Sequence, residues 1–298
     1  MFPAQSTNNH FDIVRSTAMN YKIYLITMDK TIQFYHILNQ GVWDMSKLTN
    51  IEYTWDAPQI RNVDKQIETI KNVSKSGADA IILAAIDPVK VSSAVGDAKA
   101  LGIKVIYVDS PANEAGIVTL ATDNYSAGVS AGESMLRELS NQGIQSGSIG
   151  IVSASPTTST TMSREKGFRA SLKEDDRFHV LDTKYSNNNK VLAHWSARSF
   201  LSDNPDLAGL FATDEINTTA VGDTLSHTPQ QVIGVGFDLT ERIQELINQG
   251  YLKAVMAQNP YTMGYLGMAE TIAALNGYST GPEFLNTGIT VRTKYFHS

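Results

Sequence analysis

The sequence contains no cysteine among its 298 residues, and this absence removes several kinds of function. Disulfide bonds, thiolate nucleophiles and cysteine-ligated zinc sites are excluded. Positive charge is also scarce, because 24 Lys and Arg residues stand against 30 Asp and Glu residues, for a formal net charge of −6. An acidic chain without a basic stripe is poorly suited to nucleic acid or an anionic membrane surface as its main partner.

Long hydrophobic runs are missing from the amino end. Residues 1–20 are polar and hold no apolar stretch that could form a signal core or a membrane span. We therefore expect residues 1–20 to be an N-terminal extension or tail. If the protein is exported, we expect its signal or anchor segment to be absent from this chain.

The motifs of common enzymes are absent as well. Gly234-Val-Gly236 continues with Phe-Asp-Leu, so the dinucleotide fingerprint fails, and the sequence has no phosphate loop and no Gly-x-Ser-x-Gly elbow. The six histidines are scattered without metal-ligand spacing. The sequence thus predicts a protein that is not an enzyme and that needs no cofactor or metal.

What the chain does contain is a regular alternation of short apolar runs and longer segments of helical period. This alternation is typical of βαβ units and a parallel sheet, and it occurs in two successive halves without a linker. The sequence therefore predicts an α/β fold with two similar lobes. Strands are predicted at 21–28, 51–55, 79–85, 104–108, 117–121, 148–152, 179–184, 207–212, 232–237 and 254–257. Helices are predicted at 33–47, 60–76 and 126–139, and one more is predicted to begin at Pro88 with Asp87 as its N-cap.

Polar residues follow several of these runs, where a parallel strand would end. Asp109, Asp238 and Gln258 come directly after apolar runs, and Arg164 lies at a predicted helix start. Ligands of open α/β sheets bind outside the carboxyl ends of the strands. Carboxylates accept protons from hydroxyl groups, a guanidinium donates and an amide does both. This set, without a nucleophile, indicates a site that holds a polyhydroxylated molecule without reacting with it.

Each of these residues also has a structural interpretation. Asp238 followed by Glu241 is a helix-capping pattern, and Asp109 precedes Ser-Pro, which favours a turn. Arg164 could pair with an acidic neighbour at the surface, and Gln258 could satisfy nearby backbone groups. Of two adjacent aromatics on an amphipathic helix, Phe34 and Tyr35, we expect only one to face the core.

Short motifs in a fixed order carry a resemblance to a known family. They are Phe34-Tyr35 with Gly41, Val108-Asp109, Ala121-Thr-Asp-Asn124 with Gly128 and Gly132, Arg164-x-x-Gly167-Phe168, Gly236-Phe-Asp238, and Gln258-Asn-Pro-Tyr-x-Met-Gly264. With these motifs the chain from about Tyr21 onwards resembles the type I periplasmic sugar-binding proteins. These are the ribose-binding-like group of solute-binding proteins that feed ABC transporters.

The resemblance implies a fold and a division of the chain. It implies two Rossmann-like lobes joined by three interlobe crossovers, near Asp123, 258–260 and Gly288. The N-terminal lobe would then comprise 21–123 and 259–288. The C-terminal lobe would comprise 124–258 and 289–298.

The resemblance also implies how the site works. Asp109 and Asp238 would accept sugar hydroxyls from opposite lobes, and aromatic faces would pack on the sugar ring. Two departures stand out. Asp214-Glu215 occurs where the family usually has Asn-Asp, and Ser110 occurs where ribose binders carry arginine, which puts ribose itself in doubt. The predicted ligand-binding residues are Phe34, Tyr35, Asp109, Arg164, Tyr185, Asp214, Asp238 and Gln258.

The expected function is that of an extracytoplasmic monosaccharide receptor, for a pentose such as xylose or ribose. It would close on its ligand by hinge motion and present it to an ABC permease or a sensor histidine kinase ectodomain. The alternative is the ligand-binding core of a LacI-type transcription regulator. That alternative requires a basic DNA-binding headpiece of about sixty residues before Tyr21, where only twenty residues stand and they are not basic.

Overall fold

The computed structural model describes residues 21–278 and 281–295. Its strands are β1 (Ile23–Ile26), β2 (Tyr53–Asp56), β3 (Ala80–Leu83), β4 (Lys104–Val108), β5 (Thr119–Ala121), β6 (Gly147–Ser153), β7 (Phe178–Val180), β8 (Lys184–Tyr185), β9 (Leu207–Ala212), β10 (Ile233–Phe237), β11 (Ala254–Gln258), β12 (Phe284–Asn286) and β13 (Ile289–Arg292). Its helices are α1 (Gln33–Thr49), α2 (Val63–Lys75), α3 (Ser92–Ala100), α4 (Asn124–Asn141), α5 (Ser159–Leu172), α6 (Lys190–Asp203), α7 (Glu215–Leu225), α8 (Glu241–Gln249) and α9 (Pro260–Leu275).

The strands form two sheets, each the centre of one lobe. The N-lobe sheet has the order β12-β5-β4-β3-β1-β2, and all its pairs are parallel. The C-lobe sheet has the order β13-β11-β10-β9-β6-β7, with β8 pairing to β6; only β13 runs antiparallel. The predicted α/β fold of two parallel-sheet lobes is confirmed.

Helices cover both faces of each sheet, which is why the central strands β3, β9 and β10 are apolar and buried along their whole length. Alternate residues of β3 point to opposite faces: Ile82 packs in one core with Leu38 of α1, and Ile81 packs in another with Ile70 of α2. The C-lobe likewise has two cores, one under α4 and α5 and one under α6, α7 and α8. Strands buried on both faces read as continuous apolar runs rather than alternating ones.

The chain passes three times between the sheets. It leaves the N-lobe after β5, returns from β11 into α9, and passes from β12 to β13 at the end. The passages are bonded to one another, since the Asp123 N–H donates to Asn286 Oδ1 (3.1 Å) and Asn259 Nδ2 donates to the Thr287 carbonyl (2.7 Å). From these passages we propose to divide the lobes at 123, 258 and 288.

Several local predictions differ from the structure. α3 begins at Ser92 rather than Pro88; Asp87 Oδ1 accepts the N–H groups of Val89 and Lys90 as a cap would, but these residues form a turn before the helix. The predicted strand at 179–184 is two short strands, β7 and β8. In the part of the chain that the structure describes, no helix combines the length and apolar content needed to cross a membrane.

Candidate ligand-binding site

A cavity lies in the cleft between the two lobes, at the carboxyl ends of both sheets. Its volume is about 430 Å³, including the part open to solvent. The N-lobe lines it with Met28, Ile32, Phe34, Tyr35, Arg61 and Asp109, and the C-lobe with Thr158, Thr160, Thr161, Arg164, Asp214, Glu215, Ile216, Asp238 and Gln258.

Asp109 and Asp238 occupy matching positions in the two lobes. Each follows the last residue of a strand, β4 or β10, and each has a left-handed backbone, with φ of 63° and 69°. Each N–H still donates to the neighbouring strand, at the carbonyls of Leu120 (2.9 Å) and Met256 (3.1 Å). Aspartate tolerates this conformation better than most residues. Each lobe therefore presents one carboxylate to the cavity from a sharp turn at the end of its sheet.

Side chains from other elements hold these two carboxylates. The Tyr35 hydroxyl donates to Asp109 Oδ2 (3.0 Å), and Gln258 Nε2 donates to Asp238 Oδ1 (2.7 Å). Gln258 Oε1 in turn accepts from the Thr122 hydroxyl (2.9 Å) on the first passage between the lobes. The site and two of the passages are therefore joined by one chain of hydrogen bonds. The N-cap of α8 is Thr240, so the capping interpretation of Asp238 is wrong.

Arg164 on α5 is buried in the cleft rather than paired at the surface. Its Nε donates to Asn124 Oδ1 (2.7 Å), and its Nη1 donates to the Thr213 carbonyl (2.9 Å). The guanidinium also lies 4.3 Å from the centre of the Phe237 ring, within the range of a cation–π contact. These bonds fix the plane of the guanidinium. Among the described residues none bonds to Nη2, which remains to donate into the cavity.

The electrostatics of the site suit a ligand that donates hydrogen bonds. Burial raises the pKa of the Asp109 and Asp238 carboxyls, and the positive charge of Arg164 offsets part of that rise. The ionised forms are therefore costly in the cleft until donors reach them. Vicinal hydroxyl groups are donors of this kind, and hydrogen bonds to a charged acceptor are stronger than neutral ones.

Sequence reasoning missed Arg61. Its Nε donates to Asp29 Oδ2 (2.9 Å), and its Nη1 donates to Asn188 Oδ1 (3.2 Å) on the opposite lobe. Burial raises the pKa of Asp29. The positive charge of Arg61 and the hydrogen bonds from Arg61 and Thr31 lower that pKa by more than burial raises it, so the pKa of Asp29 lies below its usual value. Asp29 follows β1 and could have been found by the strand-end rule. Arg61 lies in a loop before α2 and carries no such signal.

Glu215 was also missed as a site residue. Its two carboxylate oxygens accept the backbone N–H groups of Gln33 (3.2 Å) and Phe34 (3.1 Å), in the first turn of α1 on the other lobe. Asp214 beside it lines the cavity, but its Oδ1 caps α7 by accepting from Ile216 and Asn217. The structure thus gives Asp214 a structural role in addition to its place in the cavity wall.

The predicted aromatic residues differ in whether they line the cavity. Phe34 and Tyr35 both line the cavity and are buried, with their rings edge to face at 5.3 Å. The expectation that only one of them faces inwards is wrong, because the first turn of α1 lies between the lobes and is covered on two sides. Tyr185 is not among the described residues that line the cavity. It is 38% exposed on β8, and the next residue, Ser186, is the one turned inwards.

Comparison with known proteins places these features in a wider group. Residues 23–279 match the family model described as periplasmic binding protein domain. The chain is 23% identical to the ribose import binding protein of Bacillus subtilis (strain 168), over 72% of this chain and 68% of that protein. It is 20% identical to the D-allose-binding periplasmic protein of Escherichia coli (strain K12), over 90% of this chain and 89% of that protein. A solute-binding protein from Agrobacterium radiobacter, solved with D-arabinose, matches 92% of this chain and 95% of its own at 22% identity, with a TM-score of 0.88.

Proposed function

Since the chain belongs to the periplasmic binding protein domain family, as a type I sugar-binding protein and not an enzyme, we propose that it is a pentose receptor. Its relatives include a ribose import binding protein and a D-allose-binding periplasmic protein, and the solved structures that it resembles include a solute-binding protein of an ABC transporter. The proposal adds that the ligand is a pentose such as xylose or ribose, and that the lobes close on it. The ligand-binding residues proposed are Phe34, Tyr35, Asp109, Arg164, Asp214, Asp238 and Gln258.

The observation that carries the proposal is the opposed pair of carboxylates. Asp109 and Asp238 face one cavity from different lobes, and Arg164 lines the same cavity. A ring with hydroxyls on two edges would be bound from both sides at once. Its binding would draw the lobes together, because one ligand can reach both carboxylates only when the lobes are close.

The donors of the site indicate that the ligand is held by contacts that differ from those of ribose in its usual binders. Ser110 stands where the resemblance leads us to expect arginine, and its buried hydroxyl donates to the Ala85 carbonyl rather than into the cavity. Arg61 from another loop lines the cavity instead. A guanidinium is thus present, but it reaches the ligand from a different direction.

The membrane partner would recognise the closed arrangement of the lobes. Contacts that span the cleft, such as the Arg61–Asn188 bond, exist only when the lobes are close. A surface composed of both lobes therefore has one shape with ligand and another without it. An ABC permease would use this shape for uptake, and a sensor histidine kinase ectodomain would use it for signalling.

The proposal is tested by thermal-shift measurements with D-xylose, D-ribose, L-arabinose, D-glucose, D-galactose and myo-inositol. A ligand at a hundred times its Kd adds about 2.7 kcal/mol to the free energy of unfolding. At about 2–4 °C per kcal/mol for a chain of this size, the midpoint should rise by about 5–10 °C. We expect the largest rise with a pentose. A rise with hexoses alone would contradict the pentose assignment, and no rise with any sugar would contradict sugar binding.

Two matched substitutions on α5 test the site itself. Arg164→Lys removes the planar fork that serves Asn124 and Thr213, and it should abolish the ligand-induced shift. Arg169→Lys is the control, because Arg169 bonds to the Leu181 carbonyl away from the cavity. It should leave the shift unchanged. Equal shifts in both variants would exclude Arg164 from the site.

A further inference from the structure

One side chain of the C-lobe caps the N-terminus of a helix of the N-lobe. α1 begins at Gln33, and its N-cap, Ile32, provides no side-chain cap among the described residues. The first N–H groups of a helix need acceptors from outside the helix. Glu215, the first residue of α7, supplies them from across the cleft, with one oxygen for Gln33 and one for Phe34.

This contact bears directly on the ligand site. The first turn of α1 carries Phe34 and Tyr35, and the Tyr35 hydroxyl donates to Asp109. A shift of that turn would move the rings of Phe34 and Tyr35 and break the hydrogen bond from Tyr35 to Asp109 Oδ2. From this geometry we propose that Glu215 is a positioning residue, which caps α1 across the cleft and so couples closure of the lobes to the arrangement of the ligand-binding residues. The inference rests on the lobe closure of the proposed function.

The surroundings of Glu215 make the coupling sensitive to pH. The acidic, basic and histidine side chains lining the cavities it borders are Asp29, Asp109, Asp214, Asp223, Asp238, Arg61, Arg164, Arg292, Lys190 and His194. Burial, with the negative charges of Asp238 and Asp214, raises the pKa of Glu215 to about 7, and the N–H groups of Phe34 and Gln33 oppose that rise. With the lobes apart, the carboxylate would be in solvent and its pKa would return towards 4.5.

The sign of the effect follows from these two pKa values. A group whose pKa is higher in the closed arrangement binds more protons there, so closing takes up a proton between pH 4.5 and about 7. Acid therefore favours closure, and raising the pH through this window favours opening. A protonated Glu215 keeps a carbonyl oxygen that accepts an N–H of α1, so the cap survives in part when the charge is lost.

The absence of cysteine allows a direct measurement of closure. Spin labels on Glu52→Cys and Ser202→Cys, at exposed positions of the two lobes, report the interlobe distance by electron double resonance. The distance is measured at pH 5 and pH 8, with and without the pentose that gives the largest thermal shift. The backgrounds are the parent chain, Glu215→Gln, Glu215→Ala and, as a matched control, Glu241→Gln in the exposed first turn of α8.

We expect the closed fraction of the parent to fall between pH 5 and pH 8. Glu215→Gln, which mimics the protonated acid, should lose the part of this pH dependence that Glu215 supplies, while Asp109 and Asp238, whose carboxyl pKa burial also raises, should supply the remainder. Glu215→Ala, which lacks the cap, should be more open than Glu215→Gln at both pH values and should bind the sugar about 2–30-fold more weakly, the range for a lost helix cap. Glu241→Gln should match the parent.

Equal distances in Glu215→Ala and Glu215→Gln would overturn the inference, as would an unchanged pH dependence in Glu215→Gln. The distance measured without sugar separates this test from that of the proposed function. If no sugar binds but the distances follow the expected order, the proposed function fails and the role of Glu215 stands. If a sugar binds and the distances do not differ, the proposed function stands and the role of Glu215 fails.

Discussion

The substitution Asp238→Asn should separate ligand binding from folding. Asp238 has a left-handed backbone, with φ of 69°, and asparagine adopts that conformation as readily as aspartate. The amide oxygen can still accept from Gln258 Nε2. What the change removes is the negative charge and one of two acceptor oxygens. It therefore weakens contacts to ligand hydroxyls without disturbing the turn at the end of β10.

The size of the effect on binding follows from the lost contacts. A hydrogen bond to a charged group contributes about 1.5–3 kcal/mol, and a carboxylate can serve two sugar hydroxyls. We expect Asp238→Asn to cost about 2–4 kcal/mol of binding free energy. The Kd should therefore rise about 30- to 1,000-fold.

Stability without ligand should change in the opposite direction. Burial raises the pKa of Asp238 above its unfolded value of 3.8, so its ionisation weakens the fold as pH rises above that value. Asp238→Asn should therefore be at least as stable as the parent at pH 7, with no advantage below pH 3.8. Asp238→Ala keeps the left-handed turn and leaves Gln258 Nε2 without its acceptor, so it should be about 2 kcal/mol less stable than Asp238→Asn.

Calorimetric titration with the preferred sugar and thermal unfolding measure the two effects. A difference of about 2 kcal/mol corresponds to a midpoint about 4–8 °C lower for the alanine variant than for the asparagine variant. Sugar binding by Asp238→Asn equal to that of the parent would exclude Asp238 from the site. Equal midpoints for the two variants would refute both causes of the expected difference, the strained backbone of alanine and the lost acceptor of Gln258.

Three further substitutions test how packing and hydrogen bonding support the site. Gly128→Ala on α4 would place its Cβ 2.1 Å from the Arg164 carbonyl oxygen, so α5 must shift. We expect the free energy of unfolding to fall by about 1–3 kcal/mol and sugar binding to weaken. The control is Gly96→Ala, whose Cβ would have its nearest neighbour 4.0 Å away; it should raise the free energy of unfolding by about 0.5–1 kcal/mol. Tyr35→Phe should lower the unfolding midpoint by about 2–6 °C, because Asp109 loses a donor in the buried cleft. A stable, fully binding Gly128→Ala, or an unchanged midpoint in Tyr35→Phe, would contradict these expectations.

The sequence alone was enough to predict the fold class and the ends of several strands. The apolar runs at 104–108 and 207–212 are strands with those bounds, because a strand buried between two helical layers must be apolar along its whole length. Asp109 and Asp238 follow such runs, so their place at the sheet edge is a local property of the chain. The structure brings both to one cavity.

Other residues reach the cavity only through tertiary structure. Arg61 lies in a loop although the periodic pattern predicts a helix from residue 60, and Glu215 looks like an ordinary acidic residue at the start of a helix. Tyr185, by contrast, has a plausible position in the sequence but lies outside the cavity wall.

The sequence by itself therefore determined which residues follow the buried strands β4 and β10, because burial dictates where such a strand runs and the next residue in the chain stands at its end. It did not determine which loops meet across the cleft. That depends on how the two lobes approach each other, and hence on contacts such as those of Glu215 with α1 and of Arg61 with Asn188, whose partners are far apart in the chain.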